Sequence, residues 1–358
     1  MFAPTEYLRW AIKHYGNVSL DLASSGVAGK NRPSLDVPGD LASLTATWDA
    51  IRGRIATYNG VAASEALPAF GASHALWVAY ASLLTPGDEV LIERVTYEPM
   101  HRIAQGVGAK ITWFDRSASS RFELDPAEVA RAITDRTRVV ALTNLHNPSG
   151  VRADASAIRE VARIAGARGA HVIVDEVYAP MGSFCDARGI WGESARHLAP
   201  NIVAVGSLTK CYGLGEHRIG WVLGPEDVIA RGDDALLATL GAMPLPWMAI
   251  GVHAFDRLPA IAEWVCATIG GKRERVEAWL AARAHLAWSA PQEGLFGFAV
   301  DTRTDEDFTA RIERGIRDHG VVVAPGAFFG VPNAFRLAWS IDGDKLDDAL
   351  ARLGEVFA

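Results

Sequence analysis

Lys210 stands in the stretch of this 358-residue chain best suited to covalent chemistry. The stretch runs from Val205 to Gly220, VGSLTKCYGLGEHRIG, with Ser207 before the lysine and Arg218 after it. An amine attacks a carbonyl only when neutral, so a lysine that forms a Schiff base must sit where burial or nearby positive charge lowers its pKa. Ser207 and Arg218 suit a phosphate held beside it, one through a hydroxyl and the other through a cation. Two more segments carry complementary groups: TNLHNPSG offers the amide of Asn147, and VIVDEVY offers the carboxylate of Asp175 and the phenol of Tyr178.

These groups fall where strands are expected to end. Short β-rich runs occur at Glu89 to Glu93, Lys110 to Phe114, Arg138 to Thr143, His171 to Asp175, Ile202 to Val205 and Ile219 to Leu223. Helical patterns separate several of them, as in Asp154 to Ala167, where Ile158, Val161 and Ile164 face one way. That alternation predicts an α/β fold with a doubly wound, mostly parallel sheet. Such sheets bind ligands at the carboxyl ends of their strands, so the amide, the carboxylate with its phenol, and the amine are expected to meet there.

Leu44, Trp48, Ile51 and Ile55 recur at helical spacing and Asn59-Gly60 closes the run, which predicts a helix over Leu44 to Tyr58. Beyond Trp247 the pattern changes. Long helical stretches over roughly Ala260 to Arg283, strands at Phe296 to Val300 and Ala334 to Ser340, and a helix over Asp305 to Asp318 predict a smaller α+β unit. The expected division is an N-terminal arm, residues 1–43, packed with the small domain, a large domain over 44–250 and a small domain over 251–358.

An apolar share of 49% with 22% charged residues indicates a globular chain rather than a disordered one. A net charge of -7 without a basic run argues against a nucleic-acid partner. Cys185, Cys211 and Cys266 are odd in number and lack metal-ligand spacing, which suits reduced intracellular thiols and no metal. Glu6, Arg9 and Lys13 interrupt the apolar N-terminus, and ALWVAYASLL stops at Pro86-Gly87, so neither a signal peptide nor a membrane span is expected. A cytoplasmic protein is the expectation.

Taken in this order and spacing, the NPSG, DEVY and SLTK segments resemble the aminotransferase class I/II family, fold type I pyridoxal-phosphate enzymes, from about Leu44 to the C-terminus. The resemblance implies pyridoxal 5'-phosphate as cofactor, held by Lys210 as a Schiff base. It implies that Lys210 also moves the α-proton, that Asp175 pairs with the pyridine nitrogen, and that Asn147 and Tyr178 bond the phenolic oxygen. Gly71-Ala72-Ser73-His74 matches the phosphate loop, where a helix start offers free N–H groups, and Ser73, Ser207 and Arg218 complete that shell. Tyr97 matches the aromatic stacked on the ring. Arg336 matches the arginine that forks around the substrate carboxylate, and Gly26, with Asn147, lies where the family contacts substrate.

The resemblance further implies a homodimer with active sites at the interface, acting on an L-amino acid and a 2-oxo acid. Lyases, cyclases and oxygen-using oxidases share these motifs and form the alternative reading. A non-catalytic cofactor sensor is a third, disfavoured by the intact Lys210 and the lack of a basic helix-turn-helix pattern. The sequence departs from the family in three ways. No tyrosine between Leu20 and Leu44 matches the one that crosses the dimer interface, Glu216-His217 replaces an apolar pair, and nothing identifies the side-chain pocket. His14, His101 and His146 are candidates to face that pocket.

Overall fold

The structure is a computed structural model that describes residues 3–39, 47–304 and 306–358. Helix α1 (Glu6–His14) and the short strand β1 (Leu20–Asp21) make up an arm. Helix α2 (Trp48–Asn59) begins after Thr47, whose side chain accepts the Ala50 N–H, and ends at Gly60 in the left-handed region. The start of that helix expected at Leu44 lies outside the described residues.

Seven strands form the main sheet: β2 (Ala66–Phe70), β3 (Glu89–Arg94), β4 (Lys110–Asp115), β5 (Thr137–Thr143), β6 (His171–Asp175), β7 (Ile202–Ser207) and β8 (Ile219–Leu223). Their order is β2-β8-β7-β6-β5-β3-β4. Strands β3 to β7 pair in parallel, and β8 runs antiparallel to both of its neighbours. The expected fold class is therefore present. Strand β2, which contains Pro68, is not among the expected strands. As an edge strand β2 pairs only with β8, where a missing N–H is tolerated.

The alternation along β6 shows why this platform is rigid. Ile173 packs on one face with helices α3 (Gly71–Leu83), α4 (Glu98–Gly106) and, further along the chain, α7 (Glu226–Leu240). Val172 and Val174 pack on the other face with α5 (Pro126–Ala132) and α6 (Ala155–Gly166). Each of these three side chains is wholly buried, worth about 1.5–3 kcal/mol apiece.

The helical stretches expected over roughly Ala260 to Arg283 are parts of two helices. Helix α8 (Leu245–Ile269) stops at Gly270-Gly271, and the left-handed Gly271 redirects the chain into α9 (Lys272–Ala281). Strands β9 (Leu286–Trp288), β10 (Phe296–Asp301), β12 (Ala324–Pro325) and β13 (Ala334–Ala338) form an antiparallel sheet, while β11 (Val321–Val322) pairs with β1. Strand β13 ends two residues earlier than expected. The helix expected from Asp305, itself outside the described residues, is α10 (Thr309–Arg314) followed by a wider helical turn, Gly315–His319. Helix α11 (Gly343–Val356) closes the small unit.

Candidate active site

The ends of β5, β6 and β7 open on one cavity of about 360 Å³. Thr143 and Asn147 reach it from β5, Asp175 and Tyr178 from β6, and Thr209 and Lys210 from β7. Parallel pairing in register puts Thr143 beside Asp175 and Asp175 beside Val205, so the three chemistries expected at separate strand ends share one wall.

Lys210 lies partly open to this cavity, and its Nζ has no hydrogen-bond or ionic partner among the described residues. Burial pushes its pKa down to about 8, and the guanidiniums of Arg336 and Arg218 add to the effect. Asp175 moves the other way. Burial pushes it up to about 7, against one hydrogen bond accepted from the Val177 N–H at 3.1 Å, and the buried Glu93 nearby raises it further. Glu93 accepts from the Thr143 N–H (2.8 Å), the Thr143 hydroxyl (2.6 Å) and Arg116 (2.8 Å). This buried pair, which sequence reasoning did not single out, fixes Thr143, whose Oγ1 then accepts the Asn147 N–H at 3.0 Å.

A proton count gives the sign of one consequence. Between about pH 4 and pH 7 folded Asp175 holds a proton that the unfolded chain has released, so its contribution to stability is full at low pH and is lost as pH rises through 7. Glu176, also raised to about 7 by burial, acts in the same direction. The cofactor-free protein is expected to lose roughly 5 °C in Tm between pH 5.5 and pH 8, and Asp175→Asn to halve that loss. A Tm that is flat or rising across this range would mean that Asp175 stays charged.

The N-terminus of α3 forms an anion cradle. Ala72 and Ser73 line the cavity in its first turn, and Arg218 enters from the opposite side. Gly71 has φ +71° and a Cβ there would lie 2.6 Å from Arg218 Nη2, so only glycine lets the guanidinium pass. Arg218 has no carboxylate partner among the described residues. Tyr97 also lines the cavity.

Arg336 is wholly buried behind Asn147 and Tyr7. Its Nη1 donates to Asn147 Oδ1 (2.7 Å), and its Nη2 donates to the Tyr7 hydroxyl (2.7 Å), the Tyr15 hydroxyl (3.2 Å) and the Ala23 carbonyl (3.0 Å). The Tyr178 hydroxyl lies 2.7 Å from Ser25 Oγ.

Besides the buried Arg336, three expected site residues do not line the cavity. Ser207 turns its hydroxyl to Thr209 at 2.7 Å, and Thr209 reaches the cavity in its place. His74 Nδ1 accepts the Phe70 N–H, and its ring stacks on Trp77. Gly26 packs on the Lys210 stem, where a Cβ would sit 3.2 Å from Cδ. None of the candidate histidines faces the cavity either. His146 is held between Ser149 and the Val95 carbonyl, and burial keeps it neutral with a pKa well below the usual range. His101 packs on Trp113, and His14 is buried beside Glu313.

Glu216 and His217 have a visible task. Arg32 from the arm donates to the Gly213 carbonyl (2.5 Å) and to Glu216 (2.9 Å), and lies 3.3 Å from His217 Nε2, so the pair latches the arm to the lysine turn. Sequence reasoning also missed Tyr7, Leu8, Ala11, Ile12 and Tyr15, which line the cavity from the arm. Their helical spacing was the available signal, but nothing in it specified which surface they cover.

The donor set fits pyridoxal phosphate: an amine of lowered pKa, a buried carboxyl without a cation of its own, a phenol with an amide, and an anion cradle that a Cβ would fill. Among the described residues no helix is long and apolar enough to cross a membrane. The family model described as aminotransferase class I and II matches residues 28–353. An aspartate aminotransferase from Streptomyces avermitilis is 27% identical, covering 83% of this chain and 75% of its own. Capreomycidine synthase from Streptomyces vinaceus is 29% identical, covering 80% and 72%. A crystal structure of a PLP-dependent aminotransferase from Streptococcus suis superposes with a TM-score of 0.88 at 21% identity, over 99% of this chain and 98% of that one. Matched along most of its length, the chain belongs to the aminotransferase class I and II family, whose members are pyridoxal-phosphate-dependent.

Proposed function

We propose that the protein binds pyridoxal 5'-phosphate and transfers the amino group of an L-amino acid to a 2-oxo acid. The observation that carries this is Lys210, lowered to about 8, in one cavity with Asp175, raised to about 7. When bound, the cofactor supplies an aldehyde that condenses with amines and a ring that accepts electrons from the substrate's α-carbon.

Lys210 Nζ is the group placed to carry the α-proton, because at neutral pH about a tenth of it is already an unprotonated amine. Asp175 would take up a negative charge beside the ring nitrogen and hold a proton there. Tyr178 and the free Nδ2 of Asn147 would donate to the phenolic oxygen, and the Tyr97 ring would cover one face. The first turn of α3, with Ser73, Thr209 and Arg218, would hold the phosphate. Arg336 would bind the α-carboxylate, and its contact with Asn147 couples that event to the cofactor oxygen.

In this reading residues 44–250 carry the cofactor, residues 251–358 form the small domain, and residues 1–43 are the arm between them. The family resemblance supports a homodimer with active sites at the interface, working in the cytoplasm. A cyclase, lyase or oxidase outcome is the second reading, supported by the similarity to capreomycidine synthase.

Incubating the coloured protein with single amino acids should yield the 2-oxo acid and the amine form of the cofactor in equal amounts, without oxygen uptake. Ammonia release, a cyclised product or oxygen consumption would sink the aminotransferase reading. A second expectation concerns rate. Uptake of added cofactor by the cofactor-free protein should rise with pH and level off above about 8. Continued rise past about pH 10 would indicate an ordinary solvated lysine.

A further inference from the structure

We infer that this site selects amino acids whose side chain is uncharged and apolar, of leucine-like character, and that α1 is the wall that selects them. The inference rests on the aminotransferase reading and names the substrate class of that site. The wall is one face of α1, with Tyr7, Leu8, Ala11 and Ile12 turned to the cavity and Tyr15 just beyond the helix end. The charged residues of the same helix lie off this face: Arg9 and Glu6 meet each other at 3.9 Å with both side chains exposed, and Lys13 is exposed.

The charges that line the cavity are Asp175, Lys210 and Arg218, each with a task at the cofactor. Arg336, behind the wall, is reserved for the α-carboxylate. A substrate with a second carboxylate, an ammonium or a guanidinium would bring that charge against Leu8, Ala11 and Ile12, where no described residue of this chain offers it a counter-charge. The desolvation penalty of an unpaired charge exceeds what such a side chain gains from burying its methylenes.

The wall is also held in place. Glu98 of α4 accepts the Tyr7 N–H at 2.7 Å and the Glu6 N–H at 3.3 Å, and Trp10 Nε1 donates to Glu313 at 2.9 Å. The Tyr7 hydroxyl is fixed on Arg336, and its ring packs against Tyr97 with centroids 5.7 Å apart. The helix that presents Leu8 and Ile12 is therefore anchored before a ligand enters, and the selecting wall does not have to form on binding. Ile12 is 80% exposed at the rim, an apolar surface that a substrate side chain would cover.

Amine-free carboxylic acids test the pocket apart from the reaction. Calorimetric titration of the protein as purified should give 4-methylpentanoate a Kd at least about 30-fold below those of succinate and 5-guanidinopentanoate. Leu8→Ala should weaken 4-methylpentanoate by about tenfold and leave acetate unchanged. Ile12→Arg, at an exposed position that folding tolerates, should tighten succinate about tenfold and weaken 4-methylpentanoate. Succinate or 5-guanidinopentanoate binding the wild type within about threefold of 4-methylpentanoate would overturn the inference, including by a cation from a second copy of the chain. So would a Leu8→Ala variant that binds 4-methylpentanoate as tightly as the wild type. Failure of the aminotransferase reading looks different, since amino acids would then not yield the 2-oxo acid and the amine form of the cofactor in equal amounts while the acids keep their order.

Discussion

Replacing Lys210 with alanine abolishes the visible absorbance of the protein and lowers kcat/KM at least about 10⁴-fold. Two losses combine in this variant. On the proposed reading the cofactor would lose its covalent anchor, and the α-carbon would lose the amine that carries its proton. The protein should nevertheless fold, because Lys210 Nζ has no partner among the described residues, and removing it relieves repulsion from Arg336 and Arg218. A Tm equal to or above that of the cofactor-free wild type checks this point. Lys210→Arg is the sharper control: it keeps the cation but never presents a neutral amine, so it should be as inactive as the alanine variant. Activity within about tenfold of wild type in either variant would remove Lys210 from the mechanism.

Asp175→Asn lowers kcat about 10²–10³-fold and changes KM little. Asp175 is a carboxyl that burial and Glu93 hold near a pKa of about 7, with the backbone N–H of Val177 as its hydrogen-bond donor. A protonated ring nitrogen placed against it would supply the missing cation and restore the full carboxylate. Asparagine keeps the shape but cannot balance that charge, so the ring nitrogen loses its proton and accepts electrons poorly. Asp175→Glu should recover part of kcat, whereas a purely structural residue would respond as badly to the longer side chain as to the amide. Equal kcat for wild type and Asp175→Asn would contradict the role.

The parts of this site legible in the sequence are those where chemistry and local geometry coincide. Asn147, Asp175, Tyr178 and Lys210 each follow a short β-rich run, and a parallel sheet brings the ends of such runs together. Even the exchange of Ser207 for Thr209 is a local matter, two residues along one turn. Residues whose role depends on distant packing were not legible. Tyr7 and Tyr15 reach Arg336 across more than 300 positions of sequence, and no periodicity in α1 encodes that meeting. Glu93, within β3, and Arg116, just past the end of β4, are ordinary charges in the sequence, and only their complete burial shows them as a pair. In the fold itself the strand that contains Pro68 and the helix break at Gly270-Gly271 were not among the expectations. Proline at a sheet edge and glycine between two helices each have a positional meaning that one segment, read alone, does not disclose.

The arm segment after β1 has a consequence for what the site can measure. The Ala338 N–H donates to the Leu22 carbonyl (2.7 Å) and Ser340 Oγ to the Gly26 carbonyl (2.8 Å), so the segment is fastened to the strand that carries Arg336. At its other end the Val27 N–H donates to the Lys210 carbonyl (2.9 Å). A few residues of backbone thus act as a strut between the guanidinium and the amine, with Gly26 pressed on the lysine stem. The strut sets the gap between the two groups much as a gauge block sets a spacing. Telling an α-amino acid from one a carbon longer would then fall to the main chain, independently of the side chains that choose among α-amino acids.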